Sequence, residues 1–248
     1  MFLIYIVVLH ILSVIGLIVF WDPVFLILSI IGNCFFHLIG AEIFYHRYLS
    51  HKSFTCSTFT KYFMTTLSLF SGQGGPLSWS VHHRHHHKYS DTDLDPHTPK
   101  DDPIGMWFLP TNRRGNKLDI EISRDLIDQK WLQFLQDYYW YIHIALLTLV
   151  AFIDLKIFLY LLIIPNMLAI HQQGAINVLG HSYGYRNFDT PDNSTNSRWL
   201  SFITFGDCLQ NNHHALPWSY TCAVKPGEFD ISAWVIKHFL AKDVVETK

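Results

Sequence analysis

Long uncharged runs alternate with short polar turns along this chain. Residues 1–20 contain no charged side chain, and a helix of about 20 apolar residues crosses a bilayer. Residues 24–44 form a second apolar run, interrupted only by Asn33, His37 and Glu42, after a tight turn at Trp21-Asp22-Pro23. Residues 138–153 and 157–178 form a third and a fourth, joined by Asp154-Leu155-Lys156. The pattern predicts four transmembrane helices. A cleaved signal peptide is disfavoured for the first run, which has no basic residues before it and no small-residue cleavage site after it. Residues 62–77 are also apolar, but they carry Thr65, Thr66, Ser68, Ser71, Gly72, Gln73, Gly74 and Gly75. A crossing there would place His46 and His51 on the opposite side of the membrane from His83. The expectation is a helix over about 59–78 lying in the interface with its apolar face in lipid.

Charge sets the orientation. Of the eighteen Lys and Arg, only Lys156 lies in either of the two turns. The positive-inside rule then places both termini, and the polar segments 46–137 and 181–248, in the cytosol. Residues 1–248 read as one membrane domain, all-α, with a cytosolic helical cap. Half of the residues are apolar, and the net charge of −2 gives no electrostatic case for nucleic acid. Cys34, Cys56, Cys208 and Cys222 have no metal or disulfide spacing and read as reduced structural residues. Several cap segments call for no chemistry: an acidic turn at 91–97, a solvated, partly helical stretch at 113–130, a loop at 187–196, and a short amphipathic helix at 231–240.

Histidine is the exception to this bland cap. The chain holds sixteen, and eight of them gather beside the cytosolic ends of apolar runs. His46 and His51 follow the second run. His83, His86 and His87 stand at i, i+3 and i+4, which places them on one helix face. His181 ends the fourth run, with Asn177 four residues before it. His213 and His214 follow Gln210. His46 and His51, at i and i+5, share no face of an α-helix. Eight imidazoles exceed the needs of one tetrahedral zinc and suit a pair of redox metals such as iron. Asp91, Asp93, Asp95 and Asp207 are candidates for fixing imidazole tautomers. His82 and His85 read as outer or surface residues, His97 as a hydrogen-bonded loop residue, and His37 and His171 as packing or tunnel lining. His10, His143 and His238 lack partners at metal spacing.

These motifs resemble the membrane fatty-acyl desaturases of the stearoyl-CoA/acyl-CoA Δ9 type, in a bacterial-like form without a fused cytochrome b5 domain. The matching residues are His46-Arg47-x-x-Ser50-His51; His83-Arg84-x-His86-His87-Lys88-x-Ser90-x-Thr92-x-x-Asp95-Pro96-His97; Asn177-x-x-x-His181; and Asn212-His213-His214. The resemblance implies four spans, a cytosolic cap and a di-iron site. It implies O2 as co-substrate and a cis double bond introduced into a long acyl chain at the Δ9 position. The ligands it implies are His46, His51, His83, His86, His87, His181, His213 and His214, with Asn177 reaching the metal through water. No catalytic side chain beyond the ligands is implied. Trp79 matches a tryptophan that shapes the acyl tunnel.

The chain departs from this family at Gln210, where a histidine is usual; its amide oxygen is a weaker candidate ligand. It also carries Val81-His82 where acyl-CoA enzymes have Arg-Asp, so the acyl carrier stays open among CoA, carrier protein and membrane lipid. Electrons are expected from a separate donor of the ferredoxin, rubredoxin or cytochrome b5 type. A hydroxylase or other oxygenase on the same scaffold is the nearest alternative. A haem electron carrier would need only paired histidines, and a metal transporter would place its ligands in mid-membrane.

Overall fold

The computed structural model describes residues 2–108 and 117–246, and nearly all regular structure in them is helical. The first four residues of the 113–130 stretch lie outside this range. Two helices, Leu26–Ser50 and Leu155–Leu179, are long and apolar enough to cross a membrane, at 25 residues each. The other two expected spans are present as shorter apolar helices, Phe2–Ile18 and Tyr139–Ile153. Ile6 and Leu9 of the first helix pack on Phe158, Leu162 and Ile163. The two long helices meet at Gly32, where a Cβ would strike the Leu161 carbonyl and the Pro165 ring. Buried polar groups are paired across this contact: Ser29 Oγ donates to Tyr160 O at 2.8 Å, and Asn33 Nδ2 donates to Gln172 Oε1 at 2.8 Å.

An ion pair between Asp22 Oδ2 and Lys156 Nζ at 2.9 Å holds the two inter-helix turns together. Both long helices therefore start at the same end of the bundle and point their histidine-bearing ends the same way. The second helix runs past the expected boundary at residue 44 as far as Ser50. Its segment Asn33–Ser50 is wound in the wide π register.

The single helix expected over 59–78 is instead two. Thr58–Leu67 runs into a 3-10 turn at Ser68–Ser71. The chain then turns through Gly72 at φ 70° and Gly74 at φ 91°, a region open to glycine at little cost. A new helix, Pro76–Tyr89, starts with proline in its first turn, where the missing N–H costs nothing. After this break the histidine-rich helix packs on the Asn33–Ser50 segment and on Lys130–Asp137. The cap continues with Pro103–Phe108, Lys130–Asp137, Arg198–Ile203, Gln210–Ala215 and the expected helix at Ile231–Leu240. A two-residue antiparallel ladder, Phe54–Thr55 with Asp243–Val244, ties its last segment to the strand that follows the Leu26–Ser50 helix. All four cysteines are free.

Candidate metal centre

Five imidazoles converge where three elements meet. His46 and His51 come from the end of the Leu26–Ser50 helix, His83 and His87 from Pro76–Tyr89, and His213 from Gln210–Ala215. Their Nε2 atoms form a chain of contacts: His51 to His83 at 2.7 Å, His83 to His87 at 3.0 Å, His87 to His213 at 2.9 Å, and His213 to His46 at 2.8 Å. Hydrogen bonds cannot satisfy this chain. His83, His87 and His213 each use the same nitrogen in two contacts, and a neutral imidazole carries one proton for its two nitrogens. Lone pairs held this close repel unless a cation sits among them. Nitrogens bound to one ion at about 2.1 Å and at right angles lie about 3.0 Å apart, which is the spacing seen. His46 also has its tautomer set: Nδ1 lies 2.8 Å from Asp207 Oδ2, so Nδ1 carries the proton and Nε2 keeps its lone pair.

A second cluster joins His86, His181 and His214. Each is oriented by its own carboxylate. Nδ1 of His86 lies 2.8 Å from Asp95 Oδ1, that of His181 lies 2.9 Å from Asp91 Oδ2, and that of His214 lies 2.7 Å from Asp192 Oδ2. In the neutral rings all three Nε2 atoms are therefore unprotonated and free to ligate. His214 Nε2 is buried without a hydrogen-bond partner, a costly position for a nitrogen lone pair unless a cation takes it. Both clusters fit a metal.

A cavity of about 270 Å³ opens beside the clusters. Trp79 lines it, with its ring stacked on His83 at 4.9 Å between centroids. His83, His86, Gly74, Gly75, Tyr139 and Trp140 also line it, and so do Gln210 and Asn177.

The family model for fatty acid desaturases matches residues 19–234. This chain belongs to the fatty acid desaturase family. Among its relatives, the sn-1 stearoyl-lipid 9-desaturase of Anabaena variabilis is 31% identical over 82% of this chain and 75% of its own length. The Delta-9 acyl-lipid desaturase 1 of Arabidopsis thaliana is 34% identical, covering 82% and 68%. The acyl-CoA 5-desaturase of Anemone leveillei is 29% identical, covering 88% and 68%. The protein is a fatty acid desaturase, an oxidoreductase of lipid metabolism.

Within this desaturase the three helix histidines do not act as one set. His83 and His87 join the five-membered cluster and His86 the other. The i, i+5 pair His46 and His51 does converge, with ring centroids 5.0 Å apart. In a helix of 3.6 residues per turn five residues overshoot a full turn by about 140°, and the wider i→i+5 winding cuts that overshoot. His51 N–H donates to His46 O at 3.2 Å in that register.

The expected carboxylates Asp91, Asp95 and Asp207 hold imidazoles; Asp93 is exposed on the same turn. Sequence reading missed Asp192, whose loop carries no signal beyond its turn residues, and Glu42, which groups with His46 and Asp207. His85 is buried rather than a surface residue, linking Leu94 O and the Asp119 backbone N–H. His82, partly exposed, bonds Ser78 O at 2.7 Å and lines the cavity. His171 pairs with His10 at 3.2 Å and accepts from Trp107 Nε1, while His37 is buried beside Glu42.

Burial alone would raise the Asp95 carboxyl, but His86 beside it holds it below the usual carboxylate range. The Asp192 carboxyl is held down in the same way, by hydrogen bonds from His214, Ser194 and Thr190. His97 is different. Its backbone N–H bonds Asp95, as a loop residue's should, but its ring Nδ1 is buried without a partner. Burial pushes its pKa down to about 3. The unfolded chain takes up that proton near pH 6.5 and the folded protein only near 3, so between these values the unfolded state binds more protons. The metal-free desaturase therefore loses stability as pH falls below about 6.5, by up to about 1.4 kcal/mol per pH unit for one such group. His86, which Asp95 raises against its burial, works in the opposite sense. Thermal unfolding of the metal-free protein between pH 7.5 and 5 measures this slope, and His97→Asn is expected to make it shallower.

Proposed function

We propose that this desaturase is a four-span membrane enzyme with a cytosolic di-iron site, and that it introduces a cis double bond at the Δ9 position of a long-chain acyl substrate, O2 being the co-substrate. The convergence of five Nε2 atoms beside a second, carboxylate-oriented set of three carries this reading. The irons would be held by His46, His51, His83, His87 and His213 at one position, and by His86, His181 and His214 at the other, with Gln210 and Asn177 beside it. Iron pairs of this kind supply the O2 chemistry that breaks unactivated C–H bonds.

The protein's own task is placement. A methylene chain offers no group to select, so the carbon attacked is decided by how deep the chain lies and where it bends. Trp79, stacked on His83 at the cavity wall, is the residue placed to set that bend. The reaction converts –CH2–CH2– and O2 to –CH=CH– and two waters, with two protons and two electrons. The electrons are assigned to a separate donor protein. The acyl group is carried as a lipid or as a CoA or carrier-protein thioester; relatives are named for both lipid and CoA substrates.

The four-span reading is supported by unpaired apolar surface on the two shorter helices. Ile4, Ile11 and Ile18 are exposed on one, and Ile144, Leu149, Phe152 and Ile153 on the other. Joined with the two long helices at the ends pinned by Asp22 and Lys156, they form an apolar belt that only lipid would cover. The basic residues, concentrated on the cap, support its cytosolic placement.

The test is expression in a bacterial host together with a ferredoxin and its reductase, followed by mass spectrometry of fatty acids with the double bond located. A new monounsaturated chain with its bond at carbon 9 is expected. No new double bond, or a hydroxylated chain in its place, would overturn the reading; a bond elsewhere would overturn only the position.

A further inference from the structure

The two clusters differ in what they offer an ion. One presents five imidazole nitrogens within reach of one another and the other only three. Two neutral side chains lining the cavity keep an unused oxygen: Gln173, whose Oε1 is buried without a partner, and Gln210, which shares the short helix of His214. Gln210 Nε2 donates to Asp207 O at 2.7 Å, which fixes the amide's orientation, and no described residue donates to its Oε1. The side chain is seated against the backbone of Gly180, where a Cβ would come within 2.7 Å of Gln210 Cγ. This places Gln210 next to His181, and it faces the cavity alongside His86. His214 Nε2, from the same short helix, is buried with no partner.

We propose that the two metal positions are unequal and fill in order: the five-imidazole position binds first and tightly, and the three-imidazole position, completed by the Gln210 amide oxygen, binds second and weakly. This rests on the two-metal reading above. A carbonyl oxygen is a poorer donor than imidazole to iron or cobalt, so the second ion should dissociate at least about tenfold more readily than the first. Gln210 is then a ligand that keeps one position exchangeable while His46, His51, His83, His87 and His213 keep the other closed.

The experiment is an anaerobic titration of the full-length, metal-free protein in detergent with Co(II). It is read by visible absorption and by metal content after gel filtration, so it needs no activity. The expected wild-type result is two ions bound in separate steps, the weaker one lost on the column. Gln210→His should retain both ions, and Gln210→Ala should weaken the second step alone by about tenfold or more. His97→Ala, which removes the nearest spare imidazole, should change neither step. Matched melting temperatures establish that the variants are folded. Two ions of equal affinity in the wild type would overturn the proposal, as would a second step unchanged in Gln210→Ala or weakened in His97→Ala. A single ion in every variant, Gln210→His included, would overturn both the proposal and the two-metal reading.

Discussion

Asparagine in place of Asp207 is expected to cost about 10–100-fold in metal affinity at the five-histidine position, with product formation falling in proportion. The reason is a proton rather than a lost charge alone. Asp207 Oδ2 accepts from His46 Nδ1 at 2.8 Å, and its Oδ1 accepts from Arg47 Nη2 at 2.7 Å. An asparagine keeps one acceptor oxygen, and Arg47 would claim it. Its amide NH2 would then face His46 Nδ1, which would have to accept. The imidazole proton would move to Nε2 and point at His213, 2.8 Å away. One ligand would be blocked without being removed. His86→Ala is the reference for complete loss, since it deletes a donor from the poorer cluster and should leave no detectable product. Metal content and fatty-acid profiles of the two variants, measured side by side, check the expectation. An Asp207→Asn protein with full metal content would show that Asp207 does not set the tautomer.

Arg47→Leu is expected to remove about 3–5 kcal/mol of stability, the cost of leaving buried charge unpaired. The Arg47 side chain is 1% exposed, and it binds Asp207 at 2.7 Å and Asp230 at 2.9 Å, both carboxylates being 2% exposed. It also donates to the Tyr220 carbonyl at 2.8 Å. Leucine would leave two carboxylates sealed in the core with no counter-ion. Lysine would keep the charge but lose the fork that reaches two acids at once, so a smaller loss is expected. Thermal unfolding in detergent, with yield after solubilisation, measures both variants. A leucine variant as stable as the wild type would mean that water reaches this network.

Both predictions concern residues that the sequence placed only in part. Spacing and position next to apolar runs were enough to find all eight histidines of the two clusters, because imidazole clusters at helix ends have few other uses. How the clusters divide was less visible. On an α-helix His83 and His87 differ by about 40° while His86 stands about 60° to the other side, so the split between two positions was latent in the i, i+3, i+4 pattern that suggested a single face. The convergence of His46 and His51 was hidden, because the wide winding of Asn33–Ser50 follows from packing and no local propensity announces it. Asp192 was hidden for another reason. A turn rich in Thr, Pro, Asp and Asn reads as an ordinary loop, and only the fold brings it to His214. The break at Gly72–Gly75 was legible as glycine content, but its effect, turning one helix into two, depended on where Pro76 could start the next.

The five-histidine position also has a history in time. His46, His51, His83 and His87 are made early, and His213 lies 126 residues after His87. At 5–20 residues per second that separation corresponds to about 6–25 s of synthesis. During that interval four of the five donors exist without the short helix that closes them in. An ion caught then would meet an open, incomplete set, able to take whichever metal the cell offers most freely. The five-nitrogen arrangement can therefore close only when Gln210–Ala215 docks, after the other four donors have waited through that interval.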